Sequence, residues 1–88
     1  MDIDIPGYYM ATSSFHVASG KEEKHSRPEL CHIASREGDT CSGNLIFSTR
    51  EGFLFPVTSL RKVTDKEKKR SNQLRKGMGL KPFFADVP

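Results

Sequence analysis

An alternation of apolar and polar positions runs through the first part of the chain. Between residues 8 and 18 the more apolar side chains fall on odd-numbered positions, namely Tyr9, Ala11, Phe15 and Val17. Successive side chains of a β-strand point to opposite faces of the sheet, so a repeat of two residues is typical of a strand. The pattern therefore predicts a single strand over 8–18.

The next eleven residues, SGKEEKHSRPE, interrupt that alternation. They contain glycine, proline and many charged residues. They show neither the two-residue apolar repeat of a strand nor the 3.6-residue repeat of a helix. We interpret this segment as an exposed connection that contributes nothing to the core.

The tripeptide Arg-Glu-Gly occurs twice, at 36–38 and at 50–52, each time between segments of strand-like composition. Glycine readily adopts the positive φ that tight hairpin turns require. The repeat predicts two hairpins with two-residue loops, at Glu37–Gly38 and at Glu51–Gly52. A ligand site that is used twice is the alternative.

The second loop also predicts which residues face each other across its hairpin. It pairs Arg50 with Phe53 and Ser48 with Phe55, by the fixed geometry of a two-residue connection. Large apolar groups then lie on both faces of this hairpin, so we expect it to be the most buried part of the sheet. The predicted core residues are Phe47, Phe53 and Phe55.

The first loop bears on the two cysteines, because it places Cys31 and Cys41 on opposite faces of the hairpin. We therefore expect two unlinked thiols. The spacings among His25, Cys31, His32 and Cys41 match no standard zinc site, and His16 is a distant reserve. The sequence predicts no metal and no other cofactor.

Two local signals predict a helix after the strands. Thr64 and Glu67 have the three-residue spacing of a capping box, and Gly77 supplies a helix stop. A helix near 65–76 follows from them. A start near Ser59 is the alternative.

Charge is distributed unevenly along the chain. Residues 1–60 carry five Lys/Arg and eight Asp/Glu, a net charge of −3, whereas 61–76 carry eight Lys/Arg and two Asp/Glu, a net charge of +6. The predicted helix has one large apolar residue, Leu74, and hence no stripe to bury. Because a local positive field attracts phosphates and acidic surfaces, we expect this helix to meet a partner.

The chain ends in the apolar sequence GMGLKPFFADVP. Such a tail either folds back onto the sheet through Phe83 and Phe84 or contacts a protein partner through Leu80, Phe83 and Phe84. We favour folding back, because a domain of this size needs the apolar area.

Together these patterns predict one small α+β domain. A small antiparallel β-meander of three to four strands forms a β-rich core over 8–63, one basic C-terminal helix covers 64–77 and the apolar tail covers 78–88. The start MDIDIPGYYM lacks the regions of a secretory signal, and no apolar run reaches the ~18 residues of a membrane span. We expect a cytoplasmic or nuclear protein.

Catalytic signatures are missing from the sequence. A nucleophile needs a base within hydrogen-bond reach, but the adjacent Cys31 and His32 of a strand point to opposite sides. Ser14 and His16 share a face and are interpreted as solvated polar positions. No catalytic residue is predicted, and the expected class is a non-enzyme.

The leading hypothesis is a small nucleic-acid-binding or regulatory accessory protein that contacts phosphates through its basic helix. Side chains with cationic or amide groups suit phosphates and base edges. The predicted contact residues are Arg61, Lys62, Lys66, Lys69, Arg70, Asn72, Gln73, Arg75 and Lys76. The alternative is a protein-interaction modulator, a small inhibitor or adaptor, that binds through its sheet edge or apolar tail.

Overall fold

The computed structural model describes residues 3–18 and 20–87, and these form one antiparallel sheet of seven strands and one α-helix. The α+β class predicted from the sequence is confirmed, but the sheet is larger than three to four strands. The elements are β1 (Gly7–Ala11), β2 (Ser14–Ala18), β3 (Lys21–His25), β4 (Glu29–Glu37), β5 (Thr40–Leu45), β6 (Phe53–Pro56), β7 (Leu60–Arg61) and α1 (Asp65–Gly77).

The strand order is β3-β2-β6-β5-β4-β1-β7, and this order requires a curled sheet. Strands β1 and β2 are joined by two residues, yet three other strands lie between them. Ala11 and Ser14 are three residue steps apart and can therefore be separated by at most about 11 Å, whereas four strand spacings on a flat sheet are about 19 Å. The backbone N–H of Thr12 donates to the Ser59 carbonyl at 2.8 Å, and the Ser59 hydroxyl donates to the Ser13 carbonyl at 3.0 Å. These bonds tie the connection between β1 and β2 to Ser59, the residue that precedes β7.

The prediction of a single strand over 8–18 is wrong, because the chain leaves one edge region of the sheet at Thr12 and joins another at Ser14. The break also changes which positions are buried. Tyr9 is buried in β1, whereas Ser14 and His16 are buried in β2. The expectation that this serine and histidine are solvated is therefore wrong as well. The side chain of Val17 lies outside the described part of the structure.

The charged segment after β2 is exposed as expected, but part of it is a strand. Strand β3 pairs with β2 and forms one edge of the sheet, and its first four residues, Lys21, Glu22, Glu23 and Lys24, are exposed. Charged side chains on an edge strand discourage pairing with another chain. The absence of apolar periodicity thus reflects an edge position and not an irregular loop.

The first predicted hairpin exists, with a loop one residue later than expected. Glu37 pairs with Thr40, so the loop is Gly38–Asp39, and Gly38 has a φ of 61°. An irregularity between Ile33 and Ser35 then shifts the register again. Both differences are hard to read from the sequence, because one is a choice between neighbouring turn positions and the other is a bulge.

These register changes place the two cysteines on the same face of the sheet. Cys31 pairs with Leu45, and Cys41 is four residues before Leu45 in the same strand. The predicted opposite-face placement is wrong. Both thiols are free and fully buried.

The second hairpin has a long loop over 46–52 in place of the two-residue loop at Glu51–Gly52. Phe53 pairs with Gly43 and Phe55 with Cys41, so the predicted pairings with Arg50 and Ser48 are wrong. A side chain at Gly43 would collide with the His32 carbonyl oxygen, so this strand position accepts only glycine. Phe53 and Phe55 are buried as predicted, whereas Phe47 is 48% exposed in the loop.

Two apolar clusters occupy the two faces of the sheet. The larger cluster lies on one face, and its described members are Tyr9, Ala11, Cys31, Ile33, Cys41, Leu45, Phe53, Phe55, Val57 and Leu60. The second cluster joins Met10 and Leu30 of the sheet to Phe84 of the tail, and Phe83 packs against it. The tail therefore folds back onto the sheet, as its composition indicated.

Helix α1 begins where the capping box predicts. The Thr64 side chain accepts from the Glu67 backbone N–H, and the Glu67 carboxylate accepts from the Thr64 backbone N–H. The alternative start near Ser59 is wrong, because Val57–Ser59 is a 3₁₀ turn and β7 follows it.

Candidate nucleic-acid interface

The inner face of α1 is attached to the rest of the molecule mainly by polar contacts. Asn72 donates to the Phe84 carbonyl at 2.9 Å and accepts from the Phe84 backbone N–H at 3.2 Å. Lys68 pairs with Asp86 at 2.6 Å. A helix without an apolar stripe is thus held in place by the tail.

Arg75 strengthens this attachment near the end of the helix. Its Nε donates to the Lys81 carbonyl at 2.6 Å, and its guanidinium lies 3.6 Å from the centre of the Phe83 ring. Stacking of a guanidinium on an aromatic face is favourable, and here it engages the positive charge of Arg75 in a contact within the molecule. Arg75 therefore serves the fold and is poorly placed to contact phosphates.

Arg61 is also paired within the molecule. Its two terminal nitrogens donate to the two carboxylate oxygens of Glu67 at 2.7 and 2.8 Å. Bidentate pairing and the Thr64 hydrogen bonds lower the pKa of Glu67 to about 2. This pair joins β7 to the first turn of α1.

The outer face of α1 carries a different set of cations. Positions separated by three, four and seven residues share a face of a helix, and here they are exposed lysine, arginine and glutamine side chains. We call this set the basic face: Lys66, Lys69, Arg70, Gln73 and Lys76. None of its cations has a carboxylate within ion-pair distance in residues 3–18 and 20–87. Lys62 lies exposed just before the helix.

The nine sequence-predicted contact residues thus divide into two groups. Arg61, Asn72 and Arg75 have their polar groups engaged by Glu67, Phe84 and the 81–83 segment respectively. The others are exposed, and five of them form the basic face. Of the alternative partner-binding set, Leu80 is exposed, Phe83 is half-buried beneath Arg75 and Phe84 is buried.

A groove of about 570 Å³ lies beside the basic face, between α1 and the sheet. Its apolar lining includes Met10, Leu30 and Leu45, and the half-exposed side chains of Phe47 and Leu74 also border it. Arg70 belongs to both the groove and the basic face. Volumes of this size are typical of small-molecule binding sites. Sequence reasoning missed the groove because it placed Phe47 in the core.

Two polar side chains of the groove have unpartnered buried oxygens. Ser71 is 4% exposed, and its Oγ has no hydrogen-bond partner in the described residues. Oε2 of Glu29 is likewise buried without a hydrogen bond; His25 lies 3.8 Å from it, too far to donate one. The other oxygen, Oε1, lies 3.4 Å from Arg27.

The histidines and cysteines lie apart from this groove's polar groups, except for His25. His16 stacks at 4.9 Å on Phe53, and Cys31 donates to the Tyr9 carbonyl at 3.2 Å. Over the described ranges, no three His, Cys, Asp or Glu side chains are grouped to hold a metal ion.

No helix among the described residues has the length and apolar character that crossing a bilayer requires. Comparisons with models of known families, with curated proteins and with solved structures find no match. The function has to be inferred from the chain's own residues.

Proposed function

We propose that this protein binds nucleic acid without catalysis, through the basic face of α1. The observation that carries the proposal is the division of cations on and next to the helix. Arg61, Lys68 and Arg75 are paired internally. The exposed side chains of Lys66, Lys69, Arg70 and Lys76 have no carboxylate partner among the residues that the structure describes. Cations needed only for solubility would not have to be segregated in this way.

The dimensions of the basic face suit a phosphate backbone. Lys66 and Lys76 are ten residues apart, which corresponds to about 15 Å along a helix. Four cations over this length can neutralise several successive phosphates and release their counterions. Gln73 lies between them and can donate or accept hydrogen bonds at sugars or base edges.

The alternative proposal is a protein-interaction modulator that binds through the tail or a sheet edge. It has weaker support. The aromatic side chains Phe83 and Phe84 pack within the molecule, and the edge strand β3 is lined with charges. An acidic protein surface on the basic face is the form of this alternative that the charges favour.

The test is a titration of labelled 12-nucleotide single-stranded DNA and 12-base-pair duplex DNA, followed by fluorescence anisotropy at several salt concentrations. We expect binding at low salt with a log–log slope of about −3 to −4 for four phosphate contacts. Lys66→Glu/Lys69→Glu should weaken binding at least ~10-fold and flatten the slope. Lys21→Glu/Lys24→Glu, on β3, makes the same change in net charge and is the matched control.

Equal loss in both double variants would show that net charge alone attracts the probe, and the proposed interface would be wrong. Lack of affinity for either DNA, and for RNA of the same length, at low salt would eliminate the nucleic-acid proposal. The double variants would then be compared for binding to an acidic peptide.

A further inference from the structure

The groove beside the basic face has the features of a site for a flat molecule with polar edges. Phe47 is 48% exposed on its loop, and Leu74 is equally exposed on α1. Both border the groove, with Met10 and Leu30 in its lining. An exposed aromatic ring beside an apolar groove is a surface on which a nucleobase can stack.

The unpartnered oxygens indicate which polar atoms would complete this site. A buried polar group without a hydrogen bond is costly, and a ligand that supplies the bond recovers that cost. The Glu29 carboxylate can only accept, so it calls for an N–H donor, whereas the Ser71 hydroxyl can donate or accept.

The same groups suit a simple apolar anion less well than a base. A fatty carboxylate would suit Arg70, but it would bring a second negative charge toward Glu29 and offer it no donor. A base brings apolar faces, an amino donor and ring acceptors in one planar group, while its phosphate remains outside beside Arg70. Cytosine and adenine carry such an amino group, whereas thymine carries a carbonyl oxygen at the position that corresponds to the amino group of cytosine.

We infer that the groove receives an unstacked base, so that the basic face binds single strands more tightly than duplex and amino-bearing bases are preferred. This inference rests on the proposed function and adds to it the class of nucleic acid. A base within a duplex is stacked and paired and is not available to enter the groove.

The first experiment compares Phe47→Ala with the parent, using 12-nucleotide oligo(dC) and a 12-base-pair duplex at pH 8 and low salt. The variant should bind oligo(dC) about 5- to 150-fold more weakly, the range that corresponds to loss of one stacked base. Its duplex affinity and salt slope should be unchanged, because the basic face is intact. Phe47→Tyr should retain the parent affinity.

Leu54→Ala is the matched control, because Leu54 is also an exposed apolar side chain, 38% accessible, and lies away from this groove. It should leave both affinities unchanged. Thermal melts of all variants check that each is folded.

The second experiment tests the role of Glu29. The parent should bind oligo(dC) several-fold more tightly than oligo(dT), and Glu29→Gln should abolish that difference, because an amide offers a donor as well as an acceptor.

Failure of this inference differs from failure of the proposed function. Equal binding of duplex and single strands, or a parallel loss of both in Phe47→Ala, overturns the base-binding groove and leaves the basic face standing. No preference for oligo(dC) over oligo(dT) overturns the role of Glu29. Absence of all nucleic-acid binding overturns both proposals.

Discussion

At the scale of single residues, the two cysteines show how burial controls reactivity. Burial raises the pKa of the Cys31 thiol to about 12 and also raises that of Cys41, so neither forms the reactive thiolate near neutral pH. We predict that a thiol reagent such as DTNB at pH 8 leaves both unmodified in the native protein. Both should react in guanidinium chloride. Fast modification of either thiol in the folded chain would contradict its position in the larger cluster.

The Arg61–Glu67 pair gives a prediction about pH. The folded pKa of Glu67 lies near 2, below its ordinary value of 4.5, so the carboxylate stabilises the fold above about pH 4.5 and this contribution is lost as the pH falls toward 2. Both side chains remain partly in water, so we expect about 1 kcal/mol and not the full value of the shift.

Denaturation of the parent and of Glu67→Gln at several pH values measures this contribution. The parent should be the more stable at pH 7, and the difference should disappear toward pH 2. A difference that persists at the lowest pH would indicate that the variant loses packing or capping and not the ion pair.

At the scale of elements, substitution of Phe55, which lies in a strand, should affect stability differently from substitution of Phe47, which lies in a loop. Phe55 is fully buried opposite Cys41, so Phe55→Ala should cost about 3–5 kcal/mol. Phe47→Ala should cost about 0.5 kcal/mol or less, because that side chain is half-exposed. Urea denaturation of the two variants checks both values. A large loss at Phe47 would restore the two-residue hairpin that the sequence predicted.

The sequence-based predictions succeeded where the interacting residues are close together in the sequence and failed where they are far apart. The start of α1 was predictable because Thr64 and Glu67 interact within one turn. The hairpin registers were not, because they depend on the bulge near Ala34 and on the close approach of Gly43 to the backbone of β4. Neither feature leaves a local pattern in the sequence.

At the scale of the whole molecule, the strand order could not be predicted, because the amino-acid composition does not change where β1 ends and β2 begins. The segment 8–18 has the residues of one strand, and nothing in its alternation marks the passage at Thr12 from β1 to β2 across the curled sheet. The basic face was predictable, since it needs only helical spacing. The sequence could not predict which cations are paired within the molecule, because the partners of Lys68 and Arg75 come from the tail.

The two clusters on opposite faces of the sheet give the last prediction. Deletion of residues 80–88 removes Phe83 and Phe84 and the hydrogen bonds to Asn72, so the second cluster and the attachment of α1 are lost. Among the described residues, the larger cluster contains none from the tail. We therefore expect a fall of about 10 °C or more in the melting temperature, since loss of a buried Phe costs about 3–5 kcal/mol.

Thiol protection distinguishes this partial loss from general unfolding. Below its lowered melting temperature, the truncated chain should still shield Cys31 and Cys41 from DTNB, because both lie in the larger cluster on the other face. Exposed apolar surface around Met10 and Leu30 should bind a dye such as ANS. Leu80→Ala is the control, since this tail residue is exposed and its loss should change neither readout.

Immediate labelling of both thiols in the truncated chain at low temperature would mean that the two clusters form a single cooperative core. An unchanged melting temperature would mean that the tail does not stabilise the sheet and is available to a partner.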